Sequence, residues 1–352
     1  MSFVHLHCHS EFSLLDASVR VGELVKKAAA FGMPAVAVTD HGNLHAAVPF
    51  YQAARKAGVK PIIGCEVYVA PGSMLERNGS SAKDSAYHLT LLATDAEGYG
   101  NLVKLVTSAH LEGFYYKPRV DRDRLVAHAK GLIALSGCVK GEVPTLIAGA
   151  RMKEAKETVA AYRDIFGPEN YFIELTEFGL DAQRRVNPEL IKLAREFGLG
   201  LVATNDVHFL EKSHHEAHDV LICIGSASMV VDEKRQRYSP ELYFKSSEEM
   251  RALFADLPEA CDNTLRIAER CHFEMEFGVP KYPNFDSPDA LSREQYLRDL
   301  CYGGLRMRFG ARVDTDAELT TRLNYELSVI EKTGFISYFL IVWDFIRYAK
   351  EQ

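Results

Sequence analysis

The sequence predicts an α/β fold, a distorted seven-stranded (β/α) barrel followed by a mainly helical segment. Short apolar stretches at 4–8, 35–39, 61–69, 88–93, 132–136, 171–175 and 201–204 are mostly separated by segments of helical periodicity. Alternation of that kind implies parallel strands joined by crossover helices. Ligand-type side chains also recur where several of these stretches end. A barrel gathers its site from many strand ends, whereas an open sheet concentrates it at one switch point.

The first stretch carries His5-Leu6-His7-Cys8-His9. Strand alternation puts His5, His7 and His9 on one face and Val4, Leu6 and Cys8 on the other. Three imidazoles on one face suit a metal, since neutral imidazole is a common ligand for zinc and its neighbours. A helix at 21–31, ended by Gly32, leads to the strand 35–39, which runs into Asp40-His41-Gly42-Asn43. The next helix, 46–57, is closed by Gly58, and the strand 61–69 carries Glu66 in its middle. A carboxylate inside such an apolar run is costly unless it is paired or bound to a cation, and a ligand role is expected.

Residues 71–86 read as a surface loop. The strand 88–93 has His88 at its start, and a helix follows at 99–111. Phe114-Tyr115-Tyr116-Lys117-Pro118-Arg119 mixes aromatic and basic residues, which suits nucleic-acid contact by stacking and phosphate pairing; the ordinary alternative is a loop covering the core. The strand 132–136 delivers Gly137-Cys138, a solvated helix spans 152–166, and the strand 171–175 and helix 187–197 precede 201–204. That last strand ends on Asn205-Asp206-Val207-His208. Beyond it, 212–226 reads as a helix with His214, His215 and His218 as solvated histidines on its polar face. Lys234-Arg235-Gln236-Arg237 reads as a solvated basic loop. Two helical segments over 247–271 close a first domain, 1–277, and a proline-containing connector follows. Helices at 292–309 and 317–332 precede the apolar run 335–346, which is too hydrophobic for a natural terminus; the chain is expected to be an N-terminal fragment.

At 352 residues, with 47% hydrophobic and 25% charged residues, the composition is that of a soluble globular protein. No run of about 18 apolar residues and no basic-then-apolar leader is present, so a cytoplasmic protein with no membrane partner is expected. Seven widely spaced cysteines, an odd number, argue for a reducing compartment. The net charge of −7 does not advertise nucleic-acid binding, yet bound cations would offset part of it.

His7-x-His9, Asp16, Thr39-Asp40-His41-Gly42, Gly64-x-Glu66, His88-Leu89-Thr90, Ser136-Gly137-Cys138 and Thr204-Asn205-Asp206-x-His208, in this order, resemble the polymerase and histidinol phosphatase (PHP) domain. More narrowly, the whole chain resembles the N-terminal part of bacterial DNA polymerase III alpha subunits. Residues 334–340 resemble the start of that family's palm, whose catalytic aspartates lie outside this sequence. The resemblance implies a PHP-type barrel over 1–277 and a truncated palm segment over 278–352. It also implies metal ligands at His7, His9, Asp16, His41, Glu66, His88, Cys138, Asp206 and His208, holding up to three divalent ions. Zinc is the first expectation, with manganese, iron or magnesium as the others. Retention of every ligand is most simply explained by retained metal binding, because a charged pocket stripped of its metals is electrostatically unfavourable.

Such a donor set suits phosphoester hydrolysis. The function implied is a metal-dependent 3′-to-5′ exonuclease on a DNA-directed DNA polymerase, with Asp206, His9 and Glu66 carrying catalysis. Its partners would be the 3′ end of a primer–template, a proofreading exonuclease subunit and other replicase subunits. The alternatives are a non-catalytic, metal-stabilised scaffold docking that separate subunit, and a small-molecule phosphatase of the histidinol phosphate type. His5, Asp40, His45 and Glu174 are left as outer support for the ligands or as plain packing.

Overall fold

The structure, a computed structural model, describes residues 2–77, 86–279, 281–288 and 291–352. It divides into two units, Met1–Met275 and Glu276–Gln352. The first is built on seven strands: β1 (Ala35–Val38), β2 (Lys60–Val69), β3 (Tyr87–Ala93), β4 (Arg119–Val120), β5 (Leu132–Leu135), β6 (Tyr171–Thr176) and β7 (Gly200–Thr204). Their order is β1-β2-β3-β5-β6-β7, with β4 paired to β2.

Residues 4–8 do not form a regular strand. They run extended between the two ends of the curled sheet and join them. Ala37 N donates to His5 O at 2.9 Å and Thr39 N to Cys8 O at 2.8 Å, on the β1 side. On the other side His9 N donates to Val207 O at 2.8 Å and Val207 N to His7 O at 3.1 Å. Side-chain hydroxyls replace the remaining ladder bonds: Val4 N donates to Thr264 Oγ1 and Cys8 N to Thr39 Oγ1. The result is a distorted barrel, with Val4 and Leu6 packed among Ile62, Leu92 and Ile133.

A second departure concerns strand direction. β3 is antiparallel to both β2 and β5, whereas β1–β2, β5–β6 and β6–β7 are parallel. The β2–β3 connection has no crossover helix among the described residues, and without one the chain reverses. Part of the expected surface loop here, 78–85, lies outside the described residues.

Helices α1 (Val21–Ala30), α2 (Ala47–Ala57), α3 (Ala96–Leu111), α6 (Met152–Phe166) and α7 (Asp181–Phe197) follow the expected order, and α7 begins six residues early. β4, α4 (Arg122–His128) and α5 (Glu142–Ala148) are additions too short to leave a periodic signal. α6 is amphipathic rather than solvated, burying Ala155, Val159, Tyr162 and Phe166 at helical spacing. The unit is completed by α8 (His215–Gly225), α9 (Ser247–Leu253) and α10 (Pro258–Arg270).

The start of α3 is tied to the approach to β5 by close backbone contact. A Cβ on Gly98 would lie 1.8 Å from Gly131 O, and Gly131 itself has φ +73°. Gly98→Ala is therefore expected to destabilise the unit by about 3 kcal/mol through overpacking, read as a lowered urea midpoint.

The second unit holds α11 (Arg293–Phe309), α12 (Arg312–Thr315), α13 (Ala317–Lys332) and α14 (Ile336–Glu351) around Leu297, Leu327 and Leu340. No helix among the described residues is long and apolar enough to cross a membrane.

Candidate metal centre

Glu66 is fully buried in β2, and four imidazoles converge on it. Its Oε1 lies 2.9 Å from His88 Nδ1 and 3.3 Å from His7 Nε2; its Oε2 lies 2.7 Å from His41 Nδ1 and 3.6 Å from His9 Nε2. Asp206 Oδ1 is 3.1 Å from His9 Nε2 and 3.4 Å from His7 Nε2. Asp16 Oδ2 is 2.8 Å from His41 Nε2, Cys138 Sγ is 4.0 Å from Glu66 Oε1, and the His208 ring packs against His9. All nine expected ligand positions thus meet in one place.

Three triplets, His9-His41-His208, His7-His9-Glu66 and His41-Glu66-His88, each bring their donor atoms within 4.8 Å of one another. Several of these close contacts are not hydrogen bonds. Both nitrogens of His41, Nδ1 of His88 and Oε2 of Glu66 are buried at short range from one another yet lack hydrogen-bonding geometry. Buried polar atoms in that condition are costly unless another group satisfies them, and a shared cation does so. The residues fit a polynuclear metal site.

Their orientation is set from behind. His7 Nδ1–H donates to Glu174 Oε1 at 2.7 Å, His9 Nδ1–H to Ser13 Oγ at 3.2 Å, and His208 Nδ1–H to the Asp206 carbonyl at 2.7 Å. Each bond occupies Nδ1 and leaves Nε2 for the cluster, the usual way a protein fixes a ligand tautomer. Ser13 Oγ donates in turn to Asp40, which also accepts from Ser10 N and Ser10 Oγ. Asp40 and Glu174 are therefore supports. Glu174→Gln removes the charge behind His7 and is expected to weaken metal binding about tenfold without unfolding the chain, read by competition with a chelating dye.

The backbone is strained where it delivers carboxylates: Asp206 has φ +45°, and Leu15, beside Asp16, has φ +61°. Gly137 turns at φ +86° so closely over β3 that a Cβ would lie 2.4 Å from His88 O, which seats Cys138 at the cluster.

Burial, then the neighbouring His41 and His208, push the His9 imidazole down to about 3, and burial also lowers His88. Both shifts favour the neutral imidazole, the state a ligand needs. His7 goes the other way: burial opposes the charge, but Glu174, Asp206 and Glu66 hold it well above its usual range. Against the same burial penalty, Glu66 and Asp16 raise His41 to about 9. Glu66 and Asp206 are held low despite burial, Glu66 by His88 and His7, Asp206 by His7 and His208. The carboxylates thus demand positive charge at the ring nitrogens, supplied by protons or by a cation. Burial, reinforced by Asp206 and Glu66, pushes the Cys138 thiol well up, so a metal must displace its proton.

Residues 5–178 match the family described as PHP domain, and residues 295–352 that described as bacterial DNA polymerase III alpha NTPase domain. DNA polymerase III subunit alpha from Treponema pallidum is 45% identical over 354 residues, spanning 100% of this chain and 30% of its own length. The Thermus aquaticus protein of the same name is 41% identical, over 99% of this chain and 34% of its own. The chain carries a PHP domain and is similar over its whole length to DNA polymerase III alpha subunits. It spans about a third of the length of the curated relatives it matches. A solved amidohydrolase from Chromobacterium violaceum matches with a TM-score of 0.40 and 15% identity, over 59% of this chain and 88% of its own.

Two residues left open as outer support or plain packing stand outside the cluster. His5 stays out of the cluster, its ring between Phe3 and Phe244 and its Nε2 2.8 Å from Lys245 O. Two residues along an extended chain span roughly 7 Å, so one more histidine on the same face falls in the next layer of the barrel. His45 is exposed and rests on Phe12.

The histidines of α8 are also not simply solvated. His214 is exposed, but His218 is buried with Nε2 2.7 Å from Asp16 O, and His215 Nε2 is 3.0 Å from Tyr238 O. The Tyr238 hydroxyl donates to Asp16 Oδ1 at 2.7 Å, and Arg235, read as part of a free basic loop, pairs with both oxygens of Asp219. Together α8 and the segment after it form a bracket for Asp16. Sequence reasoning missed Ser13, His218 and Tyr238 as PHP-site residues because their partners are set by tertiary folding, His218 and Asp16 being 202 positions apart.

Proposed function

We propose that the PHP site hydrolyses phosphodiester bonds as a metal-dependent 3′-to-5′ exonuclease. The parent protein would be a cytoplasmic DNA-directed DNA polymerase acting on a primer–template with other replicase subunits. The observation that carries this reading is the convergence of imidazole, carboxylate and thiol donors whose buried contacts lack hydrogen-bonding geometry. His7, His9, Asp16, His41, Glu66, His88, Cys138, Asp206 and His208 would hold up to three divalent ions, zinc first among them. Bound there, such ions supply Lewis acidity toward a phosphate and lower the pKa of water.

The chain's own residues provide the frame. Glu174, Ser13 and the Asp206 carbonyl keep Nε2 of three histidines free, while Tyr238 and His218 hold Asp16. Access is from one side: Asp16 is 26% exposed, and Asp206, His41 and His88 about 10% each, whereas His7, His9 and Glu66 are sealed. That depth also favours a second reading, a structural cluster in a scaffold that docks a separate proofreading subunit.

Chelator-stripped chain, tested on a 5′-labelled primer before and after zinc or manganese is restored, separates the two. Stepwise 3′ shortening that returns with metal is the expected result. Metal uptake with no shortening in either case would leave the scaffold.

A further inference from the structure

The aromatic and basic segment 114–119 divides into an anchor and a rim. Arg119 is buried and points inward, donating to the carbonyls of Gly113, Met74 and Glu76. Pro118 presses on the turn after His41, where a Cβ on Gly42 would lie 2.8 Å from Pro118 Cγ. His110 Nε2, 2.9 Å from Gly42 O, clamps the same turn. The segment is therefore fixed beside a residue of the cluster, and Phe114, Tyr116 and Lys117 are exposed. Phe114 is 51% exposed and Tyr116 52%. Lys117 Nζ lies 5.3 Å from the ring centre of Tyr68, and that ring packs against His41 and His88.

A matching pair stands on the Asp16–His208 side. Lys140 Nζ lies 5.6 Å from the ring centre of Tyr238, which bonds Asp16 and packs against His208. Neither lysine forms a salt bridge among the described residues. Two ammonium groups and two exposed rings thus border a cluster suited to phosphate chemistry. Stacking platforms interleaved with cations are how proteins take single strands without reading sequence.

We propose that Phe114, Tyr116 and Lys117, with Lys140 beside the cluster, form the rim that receives a single-stranded nucleic-acid end. Bases stack on the two rings, and successive phosphates pair with the two lysines. This rests on the phosphodiester reading of the site and extends it to the substrate: a strand with several phosphates, rather than a small monoester.

The test is fluorescence anisotropy of a fluorescein-labelled oligothymidylate on the zinc-loaded chain, titrated at several salt concentrations. Lys117→Met and Lys140→Met should each reduce the log–log salt slope by about 0.7, and the double variant by roughly 1.4. Phe114→Ala and Tyr116→Ala should weaken binding about tenfold while leaving the slope unchanged, and Lys117→Arg should keep it. Wild type that does not bind the oligonucleotide, or variants with unaltered affinity and slope, would overturn the rim. Cleavage is scored separately: variant-sensitive binding without cleavage by wild type keeps the rim and ends the exonuclease reading.

Discussion

Asp206→Asn is expected to slow metal-dependent trimming of a 3′ end by about a thousandfold, which corresponds to ~4 kcal/mol in the barrier. Asp206 reaches both His7 and His9 with one carboxylate oxygen, and it stands on the accessible side of a cluster whose other central carboxylate, Glu66, is sealed. Its negative charge is what would draw a cation toward the open face, and an amide of the same shape supplies none. The near-isosteric change keeps the Val207 bridge to the N-terminal segment, so the circular dichroism spectrum should not change. Single-turnover cleavage of a labelled primer measures the effect. A rate within tenfold of wild type would remove Asp206 from the chemistry.

Glu66→Gln is expected to have the largest effect on metal retention. Glu66 alone touches four histidines, two through each oxygen. The amide nitrogen of glutamine would face ring nitrogens that need an acceptor or a cation. At free metal about a thousandfold above its dissociation constant, binding contributes about 4 kcal/mol to stability. For a unit of this size, losing that lowers the melting temperature by roughly 8–16 °C. Chelator should cause the same fall in wild type and almost none in the variant. Equal metal content and equal melting in the two proteins would mean that Glu66 does not hold the cluster together.

Much of this centre was legible before any coordinates. Alternation over 4–9, a carboxylate in the middle of an apolar strand, and polar tips on buried strands all have local causes, and local causes leave local signals. The rest has partners far away in sequence. Glu174 was open between outer support and plain packing, and nothing around Tyr171–Thr176 pairs it with His7, 167 positions earlier. Nothing in α8 marks His218 as the support of Asp16. Strand direction at β3 departs from the expected parallel pattern, although the loop read over 71–86 already left no crossover helix between β2 and β3. β4, two residues long, exists only because β2 offers it an edge.

The stitch made by residues 3–9 has a kinetic consequence. His9 and Asp206 are 197 positions apart, and the same segment hydrogen-bonds to β1 on one side and to Val207 on the other. Contacts of such long range form late and slowly, because loop closure opposes them until most of the chain is ordered. During synthesis these residues must wait for nearly the whole unit before they find their place. The docking site for metal therefore comes into being in the final step of folding, and an ion arriving earlier meets only scattered ligands.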